Sequence, residues 1–85
     1  MYKIQYSKYI EKDLSKLPKN EIKKILLKIE ELSEDPRPNG VKALQGNFKG
    51  LYRIRSGNYR VVYQIKDDVL EILVVRIAHR GQIYE

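Results

Sequence analysis

The apolar residues of this chain follow two different rhythms. Tyr2, Ile4 and Tyr6 alternate with Lys3 and Gln5, the period of a half-buried strand, and predict one over 2–6. The period then lengthens. Ile10, Leu14 and Leu17 fall on one face of a helix that Ser7 can cap, predicted to run to about residue 17. Pro18 either breaks this helix or opens the next one at its first turn. Ile22, Ile25, Leu26, Ile29 and Leu32 then recur at the i, i+3, i+4, i+7 spacing, with Lys and Glu opposite, and predict a second helix to about residue 34. A stripe of this kind packs into a core, so no chemistry is assigned to it. Asp35-Pro36-Arg37-Pro38-Asn39-Gly40 leaves no helical continuation, and a loop is expected up to Gly50. Three β segments complete the chain: Leu51–Ser56, Tyr59–Lys66 and 69–78. They flank Gly57-Asn58 and Asp67-Asp68, both read as two-residue hairpin turns. The order β-α-α-β-β-β implies an α+β fold: an N-terminal strand, a two-helix hairpin, then antiparallel strands forming one sheet with both helices packed on one face. At 85 residues the chain makes a single domain, 1–85.

The first hairpin turn carries further information. A turn at Gly57-Asn58 sets Ser56 opposite Tyr59, Arg55 opposite Arg60, Ile54 opposite Val61, Arg53 opposite Val62 and Tyr52 opposite Tyr63. Side chains alternate faces along a strand. One face then carries Tyr52, Ile54, Val61 and Tyr63, suited to packing on the helices. The other carries Arg53, Arg55 and Arg60. Directly opposed like charges destabilise a sheet, so the Arg55–Arg60 pair has little structural reason to exist without a bound anion. Arginine also forms planar, bidentate contacts to phosphate. Counting on from Asp67-Asp68 puts Tyr63 opposite Ile72, Val61 opposite Val74 and Arg60 opposite Val75. Ile77 and His79 share the parity of Val75, so His79 is expected on the Arg60 face.

Charge points the same way. Net charge is +6, and 36–66 holds seven basic residues and no acidic one, while the rest of the chain is close to neutral. Such a stretch is a footprint for a polyanion or an acidic protein segment, or else a solvated basic surface. The chain has no cysteine and one histidine, which excludes disulfides and thiol catalysis; no metal site or cofactor is expected. No apolar run approaches the roughly 20 residues of a membrane span, and none at the N-terminus resembles a signal peptide, so a cytoplasmic location is expected.

Leu44-Gln45-Gly46, the block from Leu51 through Tyr59-Arg60-Val61-Val62-Tyr63, and the ending Ile77-Ala78-His79-Arg80-Gly81-Gln82-Ile83-Tyr84 together resemble a RelE-type toxin of the RelE/ParE toxin–antitoxin superfamily over essentially the whole chain. The resemblance implies the toxin of a type II toxin–antitoxin system: a ribosome-dependent endoribonuclease that cuts mRNA in the A site by attack of the 2′-hydroxyl on the adjacent phosphate. It implies a RelB-like antitoxin, the ribosome and mRNA as partners, with a monomer alone and a hetero-oligomer with the antitoxin. Carried over by position, Arg53 and Arg55 match the family's basic strand pair and Arg60 its phosphate-stabilising arginine. Arg80 matches its C-terminal basic acid, and Tyr84 a tyrosine that orients or stacks on the substrate nucleotide. The resulting catalytic set is Arg53, Arg60, His79, Arg80 and Tyr84, with Lys42, Lys49 and Arg55 binding RNA. Relatives with lysine in the basic pair can use it as a base, which arginine cannot do readily. His79, the only side chain with an ordinary pKa near neutrality, is the nominated base, with Glu85 as a possible carboxylate partner; the alternative is no dedicated base. A ParE-like toxin that poisons DNA gyrase, or a non-catalytic RNA-binding or co-repressor module, would share the fold.

Overall fold

The structure, a computed structural model, describes residues 1–79. Strand β1 (Lys3–Tyr6) leads into helices α1 (Ile10–Ser15) and α2 (Lys19–Leu32). A two-residue strand β2 (Lys42–Ala43) and a 3₁₀ turn (Gly46–Phe48) follow, then β3 (Leu51–Ser56), β4 (Tyr59–Lys66) and β5 (Glu71–His79). One five-stranded sheet results, in the order β1-β5-β4-β3-β2. Among the described residues no helix is long and apolar enough to cross a membrane.

The sheet is mixed, where a mostly antiparallel one was expected. β2 through β5 pair antiparallel, but β1 lies parallel to β5, with Ile4 opposite Ile72 and Tyr6 opposite Val74. The helical excursion after β1 makes this possible, because parallel neighbours need a long connection. The helices pack on one face as expected. Ile25, Ile29 and Leu32 of α2, with Ile10 of α1, meet Ile54, Val61, Tyr63, Ile72, Val74 and Ile77. At α1 the serine serves differently than anticipated: Tyr9 occupies the helix N-cap, while the Ser7 hydroxyl donates to the Val75 carbonyl at 2.7 Å. The opposite face is not bare. Leu44 packs on Val62 there, with Phe48, Leu51, Val75 and Ala78 around them. The loop that brings Leu44 across is tied to the sheet by the buried Tyr63 hydroxyl, which donates to the Pro36 carbonyl at 2.7 Å.

The first hairpin follows the sequence reading and the second departs from it. Gly57-Asn58 closes β3 and β4 in the expected register, including Arg55 opposite Arg60, with Gly57 at φ +60° in the left-handed region that such a turn requires. The second turn is longer than Asp67-Asp68. Its last strand pair is Lys66–Glu71, so Val69 and Leu70, read as strand, belong to the turn and are exposed. The Asp-Asp pair offers no glycine or asparagine for a tight two-residue turn, and the chain instead reverses through Leu70 at φ 53°. The Leu70 carbonyl accepts the Lys3 amide at 2.9 Å, which ties this residue to β1. Asp67 is held from the other side by Arg37 at 2.8 Å and by the Tyr2 hydroxyl at 2.6 Å.

A second irregularity follows. Tyr63 pairs with Val74 but Val62 pairs with Arg76, so Val75 is an extra residue, a β-bulge. The longer turn shifts the expected register by two residues and preserves parity; the bulge adds one and reverses it. Beyond the bulge Val61 faces Ile77, Arg60 faces Ala78 and Tyr59 faces His79.

Candidate functional site

The arginines come together on the face away from the helices. β3 supplies Arg53 and Arg55, β4 supplies Arg60, and β2 sets Lys42 opposite Arg53. Their environments differ. Arg53 is 3% exposed and Arg60 6%, whereas Arg55 is open to solvent. Arg53 is the cross-strand partner of Val62, and Arg60 lies two residues from Val62 on the same face, beside the small apolar cluster under Leu44. Both side chains are therefore buried at this face and do not extend freely into solvent. Burial, reinforced by the neighbouring charge of Arg55, pulls the Arg53 guanidinium below its ordinary value. An arginine does not lose its proton in a protein at neutral pH, so the shift shows only that burial and a like charge disfavour the cation there. An anion on this face would relieve it.

An open hollow of about 270 Å³ lies at the end of this basic region, past the last β2–β3 pair, Lys42 with Arg53. Lys28, Asn39, Gly40, Lys42, Arg53 and Arg55 line it with Ile54. Lys28 was not anticipated. It sits on the polar side of α2, indistinguishable in sequence from the other helix lysines, and only the fold brings it to the arginines. Lys49 is exposed just after the 3₁₀ turn, in the loop that crosses the arginine face.

His79 does not join this group. The expectation that it shares the face of Arg60 is corrected by the bulge, which pairs it with Tyr59 and so turns it to the helix side. Its ring stands edge-on to Tyr59, 5.6 Å between centroids at 87°. Both residues border a second hollow of about 470 Å³, shared with Asp13 of α1, Lys16 just after that helix, and Arg76. Arg80, Tyr84 and Glu85 lie outside the described residues.

The second feature missed in sequence is Asp13, 7% exposed beneath α1. Its carboxylate accepts Arg76 Nε at 2.9 Å and Nη2 at 3.1 Å, and also the backbone N–H of Ile77 at 3.0 Å. Burial, the largest single influence, pushes this carboxyl up; Arg76, the Ile77 amide and Lys16 together outweigh it, and the group ends below its ordinary value. A signal was present. Asp13 lies three residues after Ile10, in phase with the buried side of the helix, and an acid in that phase needs a partner.

Comparison with known proteins agrees with this architecture. The family model described as "ParE toxin of type II toxin-antitoxin system, parDE" matches residues 4–84. Toxin RelE3 of Methanocaldococcus jannaschii is 36% identical, covering 98% of this chain and 96% of the relative. Toxin RelG of Mycobacterium tuberculosis is 30% identical over 98% of this chain and 95% of its own. The archaeal RelE–RelB complex from Pyrococcus horikoshii contains a chain that superposes with a TM-score of 0.82 at 31% identity, covering 96% of this chain and 98% of that one.

Proposed function

The chain belongs to the RelE/ParE superfamily of type II toxin–antitoxin toxins, and from that premise we propose that it is an endoribonuclease that cuts mRNA on the ribosome and is held in check by a RelB-like antitoxin. The observation that carries this reading is the gathering of Arg53, Arg55 and Arg60 on one sheet face, two of them buried and one opposed to a like charge.

In the reaction the substrate's 2′-oxygen forms a bond to the adjacent phosphorus while the bond to the 5′-oxygen breaks, leaving a 2′,3′-cyclic phosphate and a free 5′-hydroxyl. One proton leaves the 2′-hydroxyl and one reaches the departing 5′-oxygen. Negative charge accumulates on the phosphorane oxygens, and buried guanidinium groups stabilise it without reorganising at the moment of reaction. Arg53 and Arg60 take that role in this proposal, and Arg55, Lys42 and Lys49 bind the flanking backbone. Arg80 and Tyr84 are assigned as acid and nucleotide-orienting residue on family resemblance alone. With His79 on the other face, charge stabilisation and positioning on the ribosome carry the rate in place of a dedicated histidine base.

The antitoxin partner is supported by the archaeal relative, solved as a complex with RelB. An acidic segment of such a partner meeting the basic stretch would neutralise the arginine face. Primer extension on mRNA from cells expressing the chain tests the reading: cleavage within translated codons is expected, together with growth arrest that Arg60→Ala relieves. Growth arrest with intact mRNA, DNA breaks and inhibited gyrase would overturn it in favour of a gyrase poison.

A further inference from the structure

The distal half of β5 poses a structural problem that the fold solves with side chains. β1 covers the outer edge of β5 only from Glu71 to Val74, and its last backbone bond is Ser7 N–H to the Val74 carbonyl at 2.9 Å. Beyond that point no strand among the described residues lies on this outer edge, yet β5 runs on to His79. This stretch also contains the bulge at Val75, where the ladder to β4 is interrupted. A strand with one free edge and a broken ladder on the other is free to slip, and a slip of one residue exchanges the faces of every side chain after it.

Two side chains occupy the free edge. The Ser7 hydroxyl donates to the carbonyl of the bulged Val75 at 2.7 Å, and the Asp13 carboxylate accepts the Ile77 amide at 3.0 Å. Asp13 also grips Arg76 with both oxygens. By pairing Arg76 belongs to the Val62 face, but its guanidinium reaches past the sheet edge to α1, where it also lies 5.3 Å from the centre of the Tyr9 ring. Three consecutive residues of β5 are thus fixed from the N-terminal segment, one by its carbonyl, one by its side chain and one by its amide. Asp13 is nine-tenths buried, and such a charge is retained only when its partners are fixed.

We infer that Asp13 is a positioning residue, which with Ser7 holds the bulged register of β5 and so decides which residues the end of that strand presents to the arginine face. In the held register Ala78, a small side chain, sits opposite Arg60, and Tyr59 and His79 are turned away. Slipped by one residue, the strand would set Ile77 or His79 against Arg60 and crowd the face that a phosphate must approach. The inference concerns register; its consequence for catalysis rests on the cleavage reading above.

The experiment pairs hydrogen exchange with single-turnover cleavage on programmed ribosomes, for the parent, Asp13→Ala, Asp13→Asn and Ser7→Ala. Asp13→Ala should lose protection at the Ile77 amide while amides of β3 and of α2 keep theirs. Its limiting cleavage rate should fall by up to about 10²-fold, the size expected when a site is misplaced by about 1 Å, with the ribosome concentration for half-maximal rate unchanged. Asp13→Asn keeps an oxygen for the Ile77 amide and should restore most of both losses; Ser7→Ala should show a weaker form of the same pattern. Protection at Ile77 unchanged in Asp13→Ala overturns the inference. So does a cleavage rate within a fewfold of the parent once that protection is lost, because the clamp would then serve stability alone. A parent that leaves ribosome-bound mRNA intact, with Ile77 protection still lost in Asp13→Ala, sinks the cleavage reading and leaves the register clamp standing.

Discussion

Arg60 and His79 lie one residue apart in pairing terms and have opposite fates. Arg60 faces the arginine side and is buried there; His79 is paired with Tyr59 on the helix side and is exposed. Arg60→Ala removes a preorganised cation and should lower single-turnover cleavage by about 10²–10³-fold, the usual cost of losing one donor to a developing oxyanion. Arg60→Lys should recover part of that, since lysine restores the charge but not the bidentate geometry. Equal rates for the parent and Arg60→Ala would remove this arginine from the chemistry. His79→Gln, in contrast, should stay within a fewfold of the parent; a loss of about 10²–10⁴-fold would reinstate the histidine as the general base. The pairing that opposes Arg55 to Arg60 was legible in sequence because a two-residue turn with glycine leaves a single register. The place of His79 was not, because it depended on counting through a turn of misjudged length and then through a bulge, which hydrophobic periodicity does not encode.

Helices and strands were legible where their burial is periodic and obscure where non-local pairing decides. The α2 stripe and β3–β4 hairpin emerge directly; β2 is too short to leave a pattern, and the parallel partner of β1 is chosen by the helical crossover. The β4–β5 turn shows what periodicity missed. Val69 and Leu70 are apolar and β-prone, yet 55% and 50% exposed, and Leu70 is left-handed. That conformation costs a non-glycine residue about 1–2 kcal/mol, and asparagine tolerates it better than leucine. Leu70→Asn should therefore stabilise the protein modestly and Leu70→Val, β-branched at positive φ, should destabilise it, as read by urea midpoints. The reverse order would mean that Leu70 has packing that its exposure conceals. The clamp on β5 makes its own prediction. The Asp13 carboxyl has a folded-state pKa below its ordinary 3.8, so the stability it contributes is present above that value and is lost as pH falls through the folded pKa. Among the described residues, the other charged or titratable groups bordering it are Lys16 just after α1, Arg76 and His79 on β5, and Tyr59 on β4. Asp13→Asn should lower stability at pH 6 while flattening the loss below about pH 4. A parallel displacement of the two curves across that range would show that the carboxylate charge is not what the fold uses. Asp13→Ala should cost more than Asn at pH 6, because the Ile77 amide is left without its acceptor, a penalty of about 1–3 kcal/mol.

For the molecule as a whole, charge is unevenly distributed in a way that the fold amplifies. The seven basic residues of 36–66 are unbalanced by any acid in that stretch, whereas the lysines of the two helices are interspersed with Glu11, Asp13, Glu21, Glu30 and Glu31. The sheet then separates the two populations, setting Arg53, Arg55 and Arg60 on one face and the helices on the other. Binding to single-stranded RNA should therefore depend on salt through one face alone. If Arg53, Arg55, Arg60 and Lys42 each displace a counterion, log K should fall against log salt with a slope of about −3. Replacing any one of the four by glutamine should flatten the slope by somewhat under one unit, and the effects should add until the slope is nearly gone. Glutamine at Lys19 and Lys23, both exposed on α2, should leave the slope within error of the parent while lowering net charge just as much. This control separates a located binding face from general polyanion attraction, since a diffuse field would respond to the helix lysines as strongly as to the sheet arginines. Equal flattening from both sets, or a slope near zero in the parent, would mean that the arginine face is not where RNA lies, and the cleavage site would then have to be sought elsewhere on the molecule.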